Sequence, residues 1–424
     1  MRSRTLTVFE HDRVPVGDVG SATSLAVGEA DYLESIAKLR PGFCERGHRS
    51  LRLAEYSGIL SVGDRVLEVL PKIDDGASSE MCRGVVLKML RQAEQFPHFR
   101  HLSTGHRVRH ATLLDVFIAT FFDTVTQIVR GGLLRQYRER EEELPLVRGR
   151  IVTSRQFAAH ANRVDRVACS YDDLTADNIW NRLIKLGLRT VRPWIATVDL
   201  NRQWVELMAV FDDVEDSRAD MDALKRLHYG RGALRYRPSI EWVKLIINLL
   251  SPALRAGTSV APGLLFDLNL LFESAVASVL GCHVPAGLTL DVQDSTRNLA
   301  KVCDTGGREA FALRPDLVLR HGKRTLAIGD TKWKRLELRG GFLRPKEVDI
   351  YQMHAYAAAF ECQNVALIYP WHEGLAGSKE TAFELPRVGT TSPVVTIVCV
   401  DVGQEHMAIM RGSRATWIGA MFKR

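Results

Sequence analysis

The chain is 424 residues long, enough for about three domains of ordinary size, and its 46% hydrophobic and 25% charged content is that of a packed globular protein, which excludes the disordered and fibrous classes. A formal charge of +7 favours an acidic partner, of which nucleic acid is the commonest. Seven scattered cysteines without a C-x-x-C pair argue against a disulfide framework or zinc ribbon, and no apolar run reaches the roughly 20 residues needed to cross a bilayer, so a cytoplasmic protein with no membrane association is expected.

From Arg4 to about Ile73, short extended segments (LTVFEH, SLRLAEYSGILSVG, DRVLEVLPKI) alternate with Gly-rich turns and predict a small β-rich domain. DDGASS at 74–79 is a loop. Residues 80 to about 250 read as mainly helical. MCRGVVLKMLRQAEQF, TLLDVFIATFFDTVTQIVRGGLLRQYRERE and DNIWNRLIKLGLRTVRPWI carry apolar residues at three- and four-residue spacing, with Asp177 or Asn178 as an N-cap. The run Arg135 to Arg150 mixes Arg with Glu139 and Glu141 to Glu143, which reads as a charge-paired helix surface. His98, His101, His106 and His110 are interleaved with Arg100, Arg107 and Arg109 at no zinc-ligand spacing and read as a basic loop.

Small residues, Pro and Gly at Ser251 to Gly263 mark a second boundary. Beyond it the pattern predicts a helix over Leu264 to Gly281 and strands over Leu288 to Val292, Phe311 to Arg320 and Arg324 to Trp333. A helix over Glu347 to Cys362 and strands over Asn364 to Tyr369 and Val394 to Val402 follow. The expected architecture is therefore α+β and multidomain: a β-rich domain at 1–75, a mainly helical region at 76–255 and an α/β domain at 256–424.

The candidate chemistry lies in FALRPDLVLRHGKRTLAIGDTKWK, from Phe311 to Lys334, read as a β-hairpin with a three-residue loop, His321-Gly322-Lys323. If Arg320 pairs with Arg324, Asp316 is diagonal to Asp330 and the even-numbered positions share a face, so Asp316, Asp330 and Lys332 converge. Ionised acids within apolar strands are costly unless paired or bound to a cation. Asp316 and Asp330 are thus candidate ligands for Mg²⁺, or Mn²⁺ in its place, with the Thr331 carbonyl as a further oxygen ligand and Lys332 placed to orient water or stabilise developing charge. Glu273, in LLFESAV on the preceding helix, can complete the metal site, and Gln352 and Tyr356, four apart on the following helix, share a face towards the same point.

Arg-Pro-Asp316 followed by Gly-Asp330-Thr-Lys332 resembles the PD-(D/E)xK nuclease motif, and Gln352-x-x-x-Tyr356 resembles the accessory element of its RecB-like branch. With VLEVLPKI at 66–73, GLLRQYRERE at 132–141, LVRGRI at 146–151, DDLTADNIWNRLIK at 172–185, LFE at 271–273 and DIYQMHAYA at 349–357, the chain resembles the McrC family, nuclease subunits of McrBC-type modification-dependent restriction systems. The resemblance implies that Asp316, Asp330 and Lys332 carry DNA cleavage, supported by Glu273, Gln352 and Tyr356. It further implies a restriction-endonuclease-like C-terminal domain and a separate McrB-like hexameric AAA+ NTPase, using GTP or ATP, on which the N-terminal and helical parts dock. A second nuclease subunit can meet this one for double-strand cutting. The chain has no G-x-x-x-x-G-K-[ST] loop, since GLAGSKET at 374–381 misses that spacing, so no bound nucleotide is expected. Two other functions stay open: an autonomous RecB-like repair nuclease, and a nuclease-inactive regulatory subunit of an AAA+ NTPase.

Overall fold

The computed structural model describes residues 5–18, 21, 23–74, 76–94, 97–100, 102, 111–159, 165–216, 227, 229–230, 232–250, 263–303, 307–388, 391–403 and 407–411. His101, His106 and His110, and the expected boundary at Ser251 to Gly263 apart from Gly263 itself, lie outside these residues. The chain forms two compact units: Met1–Leu113 with Gly263–Arg424, and Leu114–Pro262.

The first unit opens with β1 (Thr5–Phe9), β2 (Arg13–Gly17), β3 (Leu25–Ala26), α1 (Val27–Ala37), β4 (Cys44–Arg46), β5 (Ser50–Leu53), β6 (Tyr56–Val62) and β7 (Arg65–Leu70), then α2 (Ser79–Gln92). β6 and β7 are an antiparallel hairpin turned at Gly63, whose φ of 58° suits a residue without Cβ, and β1 lies parallel to β7. Glu68 stands inside β7 with no exposure at all. Its carboxylate is tolerated because Arg83 from α2 donates to both oxygens at 2.9 Å, and Thr7 Oγ1 and the Leu113 amide donate at 2.7 Å.

The second unit contains α3 (Leu113–Arg130) from its second residue on, β8 (Gln136–Leu144), β9 (Arg150–Ile151), α4 (Thr153–Ala159), β10 (Val167–Thr175), α5 (Ile179–Val191), α6 (Val198–Val210) and α7 (Arg237–Leu250). The helical expectation for GLLRQYRERE is corrected. Gly132, at φ 76°, follows the end of α3, and Gln136–Leu144 continues as a strand antiparallel to β10, with β9 on the other side of β10. The charges of Arg135 to Arg150 therefore pair across strands: Arg140 reaches Asp173 at 3.3 Å. Mixed charge carries no period, so it is compatible with either element. Asn178 caps α5 by accepting from the amides of Trp180 and Asn181. α3, α5 and α7 pack tightly, since a Cβ at Gly187 of α5 would lie 2.8 Å from Val243 and 2.9 Å from Phe121.

The first unit resumes with β11 (Leu264–Asp267), α8 (Leu268–Gly281), β12 (Thr289–Val292), β13 (Asn298–Lys301), β14 (Glu309–Ala312), β15 (Leu317–His321), β16 (Arg324–Thr331), β17 (Glu337–Arg339) and β18 (Phe342–Arg344). After these come α9 (Glu347–Ala359), β19 (Asn364–Pro370), β20 (Ala382–Glu384), β21 (Val394–Asp401) and β22 (Ala408–Arg411). The helix expected from Leu264 starts at Leu268: residues Leu264–Asp267 pair with β6 and close the sheet β1-β7-β6-β11, and Asp267 caps α8. A Cβ at Gly58 of β6 would lie 1.9 Å from the Leu264 carbonyl, so this pairing demands glycine.

A seven-stranded sheet, ordered β12-β15-β16-β19-β21-β20 with β22 also on β21, carries the later half of this unit. Its core gathers Val318, Ile328, Met353, Val365, Leu367 and Ile397. Two expectations about the hairpin are corrected. The first arm is broken: β14 pairs with β13, residues 313–316 leave the sheet, and β15 begins at Leu317. Pro315 lacks an amide donor for a continuous ladder. The turn also has two residues, Gly322 and Lys323, because His321 pairs with Arg324. A register irregularity between Leu319 and Arg320 offsets this change. Beyond it Leu317 faces Gly329, and one step further sets Asp316 across from Asp330.

Candidate active site

Four elements place the site. β16 ends in Asp330 and Thr331, with Lys332 just beyond, and its parallel partner β19 extends the pairing, since the Lys332 amide donates to the Ile368 carbonyl at 2.8 Å. Asp316 precedes β15. The Asp316 carboxylate accepts from Thr331 twice, at 2.7 Å from the amide and 2.6 Å from the hydroxyl. Burial raises the Asp316 pKa, although these two hydrogen bonds oppose it.

Asp330 is 1% exposed and sits 2.5 Å from the Lys332 ammonium. The ammonium is the ion-pair partner of the buried Oδ2, which has no second donor among the described residues. Burial, with the neighbouring Asp316 charge, raises the Asp330 pKa. Burial also disfavours the Lys332 ammonium, but Asp330 and Asp316 outweigh that and hold it charged above the usual lysine range.

On α9, Gln352 accepts from Lys332 Nζ at 3.0 Å and donates to the Tyr356 hydroxyl at 2.7 Å, which donates in turn to the Arg314 carbonyl at 3.1 Å. Burial and the Asp330 charge raise the Tyr356 pKa, so it is a neutral donor. Glu273 on α8 is 6% exposed and accepts from Gln293 Nε2 at 2.6 Å. Burial, then the charges of Asp316 and Asp330, push it up to about 7. All six candidate side chains therefore converge.

Three residues escaped the sequence reading. Gln293, at φ 51°, bonds through its amide to the Asp316 carbonyl and through its side chain to Glu273 and Arg314. Arg314 donates to Gln293, gives its carbonyl to Tyr356, and its charge favours the ionised forms of Glu273 and Asp316. Asp349, 3% exposed, accepts from Lys334 Nζ at 2.9 Å and the Tyr369 hydroxyl at 3.1 Å, tying α9 to β19. Arg314 and Asp349 stand inside the Arg-Pro-Asp316 and DIYQMHAYA segments without having been singled out, and Gln293 belongs to no local pattern.

The donor set is oxygen-rich, as a small hard cation requires, and Asp330 Oδ2 is a buried acceptor with capacity to spare. Asp316, Asp330, the Thr331 carbonyl and Glu273 are the groups that can hold such an ion. Among the described residues, however, no three acid, His or Cys side chains already stand as a metal-holding group. Thr331 donates to Asp316, Lys332 faces Asp330 and Gln293 donates to Glu273, so each acid has an internal donor.

The family model described as McrBC 5-methylcytosine restriction system component matches residues 51–370. Among solved structures, the chain is similar to one from the refined half-complex of the tetradecameric assembly of Thermococcus gammatolerans McrB AAA+ hexamers with bound McrC. There the TM-score is 0.70 and the identity 18%, covering 98% of each chain. The cryo-EM structure of the Thermococcus gammatolerans McrBC complex also matches, with a TM-score of 0.46 and 21% identity over 65% of this chain and 87% of that chain. No curated protein sequence matches. Among the described residues no helix is long and apolar enough to cross a membrane.

Proposed function

We propose that this chain, which belongs to the McrBC 5-methylcytosine restriction system component family, is a McrC-type subunit that cleaves DNA in a Mg²⁺-dependent reaction. It works in the cytoplasm together with a McrB-like hexameric AAA+ NTPase whose activity it stimulates and on which its N-terminal and helical parts dock. The observation that carries the reading is the convergence of Asp316, Asp330 and Lys332 with Glu273, Gln352 and Tyr356 at one end of a mixed sheet. Mn²⁺ can replace Mg²⁺ at such an oxygen site. A PD-(D/E)xK assignment of residues 256–424 rests on the same cluster.

When bound, the cation supplies charge neutralisation at the phosphoryl group and lowers the pKa of water. Asp316, Asp330, Glu273 and the Thr331 carbonyl would hold it, and each carboxylate would be easier to ionise there than beside its like-charged neighbours. Lys332, held by Asp330 and Gln352, would compensate charge developing on a phosphate bound at the site. Tyr356 keeps Gln352 in place. Purified chain combined with its NTPase partner, Mg²⁺, nucleotide and methylated plasmid tests this. Asp316→Ala, Asp330→Ala and Lys332→Ala are each expected to abolish cutting and to leave NTPase stimulation intact; persistent cutting in all three sinks the assignment.

A second reading, a nuclease-inactive subunit that regulates the NTPase, is favoured by the internal donors at all three acids. It predicts stimulated nucleotide hydrolysis with no cut under any metal or nucleotide condition.

A further inference from the structure

Residues 297–303 and 307–314 form the hairpin β13–β14 immediately before Asp316. Phe311 is 75% exposed and adopts φ 61°, a conformation that bulky residues avoid. The flanking pairs Asn298↔Ala312 and Ala300↔Ala310 set Leu299, 54% exposed, across from it. Burial cannot account for the strain, because the side chain is displayed to solvent. Backbone strain that presents a side chain is a device found at sites of binding.

The base of the hairpin is tied to the core. The Leu313 amide donates to the Arg297 carbonyl at 2.9 Å, Leu313 is buried in the same core as Met353 and Tyr356, and Tyr356 holds the Arg314 carbonyl. Around the apolar pair stand four exposed cationic residues, Arg297, Lys301, Arg308 and Arg314. Against them the described part of the hairpin sets one acid, Glu309, which accepts from Asn298. An exposed aromatic with an aliphatic neighbour in a cationic surround, fixed to a cluster of acids, is complementary to a polyanion with flat apolar interiors.

We propose that this hairpin is the DNA-engaging wedge of the chain: Phe311, backed by Leu299, inserts against a base step beside the scissile phosphate, while Lys301 and the arginines meet the flanking backbone. The proposal deepens the nuclease reading and rests on it for the position of the scissile phosphate.

Full-length chain is titrated into a short fluorescein-labelled duplex in Ca²⁺, so that binding is read without cutting, and into a duplex carrying 2-aminopurine at several steps. Phe311→Ala is expected to weaken binding roughly tenfold. It should also abolish the rise in 2-aminopurine fluorescence, and Phe311→Tyr restores both. Phe311→Gly removes the ring and relieves the backbone, so it should fold at least as well as the parent and bind as poorly as the alanine variant. Lys301→Ala lowers the slope of affinity against salt by about 1. Unchanged affinity and an unchanged 2-aminopurine signal in Phe311→Ala and Phe311→Gly overturn the wedge, and wild-type cutting in the same variants leaves the nuclease reading standing. Intact DNA binding with weakened NTPase association assigns the face to a protein partner and also overturns it. Phe311-dependent binding by a chain that never cuts supports the wedge and removes the nuclease.

Discussion

Glu273→Gln separates the cost of an acid in this cluster from its use. Glu273 is 6% exposed, and its pKa is raised from 4.5 to about 7 by burial and by the Asp316 and Asp330 charges. Well below pH 4.5 the group is protonated in both the folded and the unfolded chain and costs nothing. As pH rises towards 7 the unfolded chain ionises first, so folding loses stability throughout that window, and above about 7 the loss is complete. Each tenfold change in an ionisation constant corresponds to about 1.4 kcal/mol, which sets a ceiling of about 3 kcal/mol. Glutamine copies the protonated acid in shape and still accepts from Gln293, so it removes the penalty without opening a cavity. Urea unfolding in EDTA, read by hydrogen exchange on the peptide at 324–331, should show the variant equal to the parent near the acid end and up to about 3 kcal/mol more stable at about pH 8. Mg²⁺ should narrow the gap, because a cation makes the ionised parent cheaper, while cutting by the complex falls. A gap independent of pH, or a variant less stable at high pH, refutes the reasoning.

Other perturbations have equally defined readouts. Glu68→Ala leaves Arg83 and the Leu113 amide without their acceptor inside the first unit and should cost about 3–5 kcal/mol by urea midpoint. Gly187→Ala drives a methyl group towards Val243 and Phe121 and should cost about 1–3 kcal/mol, seen as faster exchange in α5. Tyr356→Phe strands the Gln352 amide and the Arg314 carbonyl; a stability loss of about 1 kcal/mol is expected, with cleavage reduced and NTPase stimulation unchanged.

The facing of Asp316 and Asp330 was legible in the sequence because strand alternation has a period of two, and an error in the turn was offset by the irregularity at Leu319 and Arg320. Gln352 and Tyr356 were likewise legible, since four-residue spacing on a helix is local geometry. The position of Lys332 followed from its distance along the strand. Charge alternation in Gln136–Leu144 was read as helix because exposed charges have no burial pattern to declare a period, and the breaking glycines were passed over. Those elements lie within reach of pattern and spacing. What depended on tertiary structure was every contact between residues distant in sequence: Gln293 bridging Glu273 and Arg314, Asp349 held by Lys334 and Tyr369, and Leu264–Asp267 completing a sheet begun near the N-terminus. Local sequence sets which face a side chain occupies; the packing of separate elements decides what stands opposite it, and therefore that Lys332, Thr331 and Gln293 each take one of the three acids.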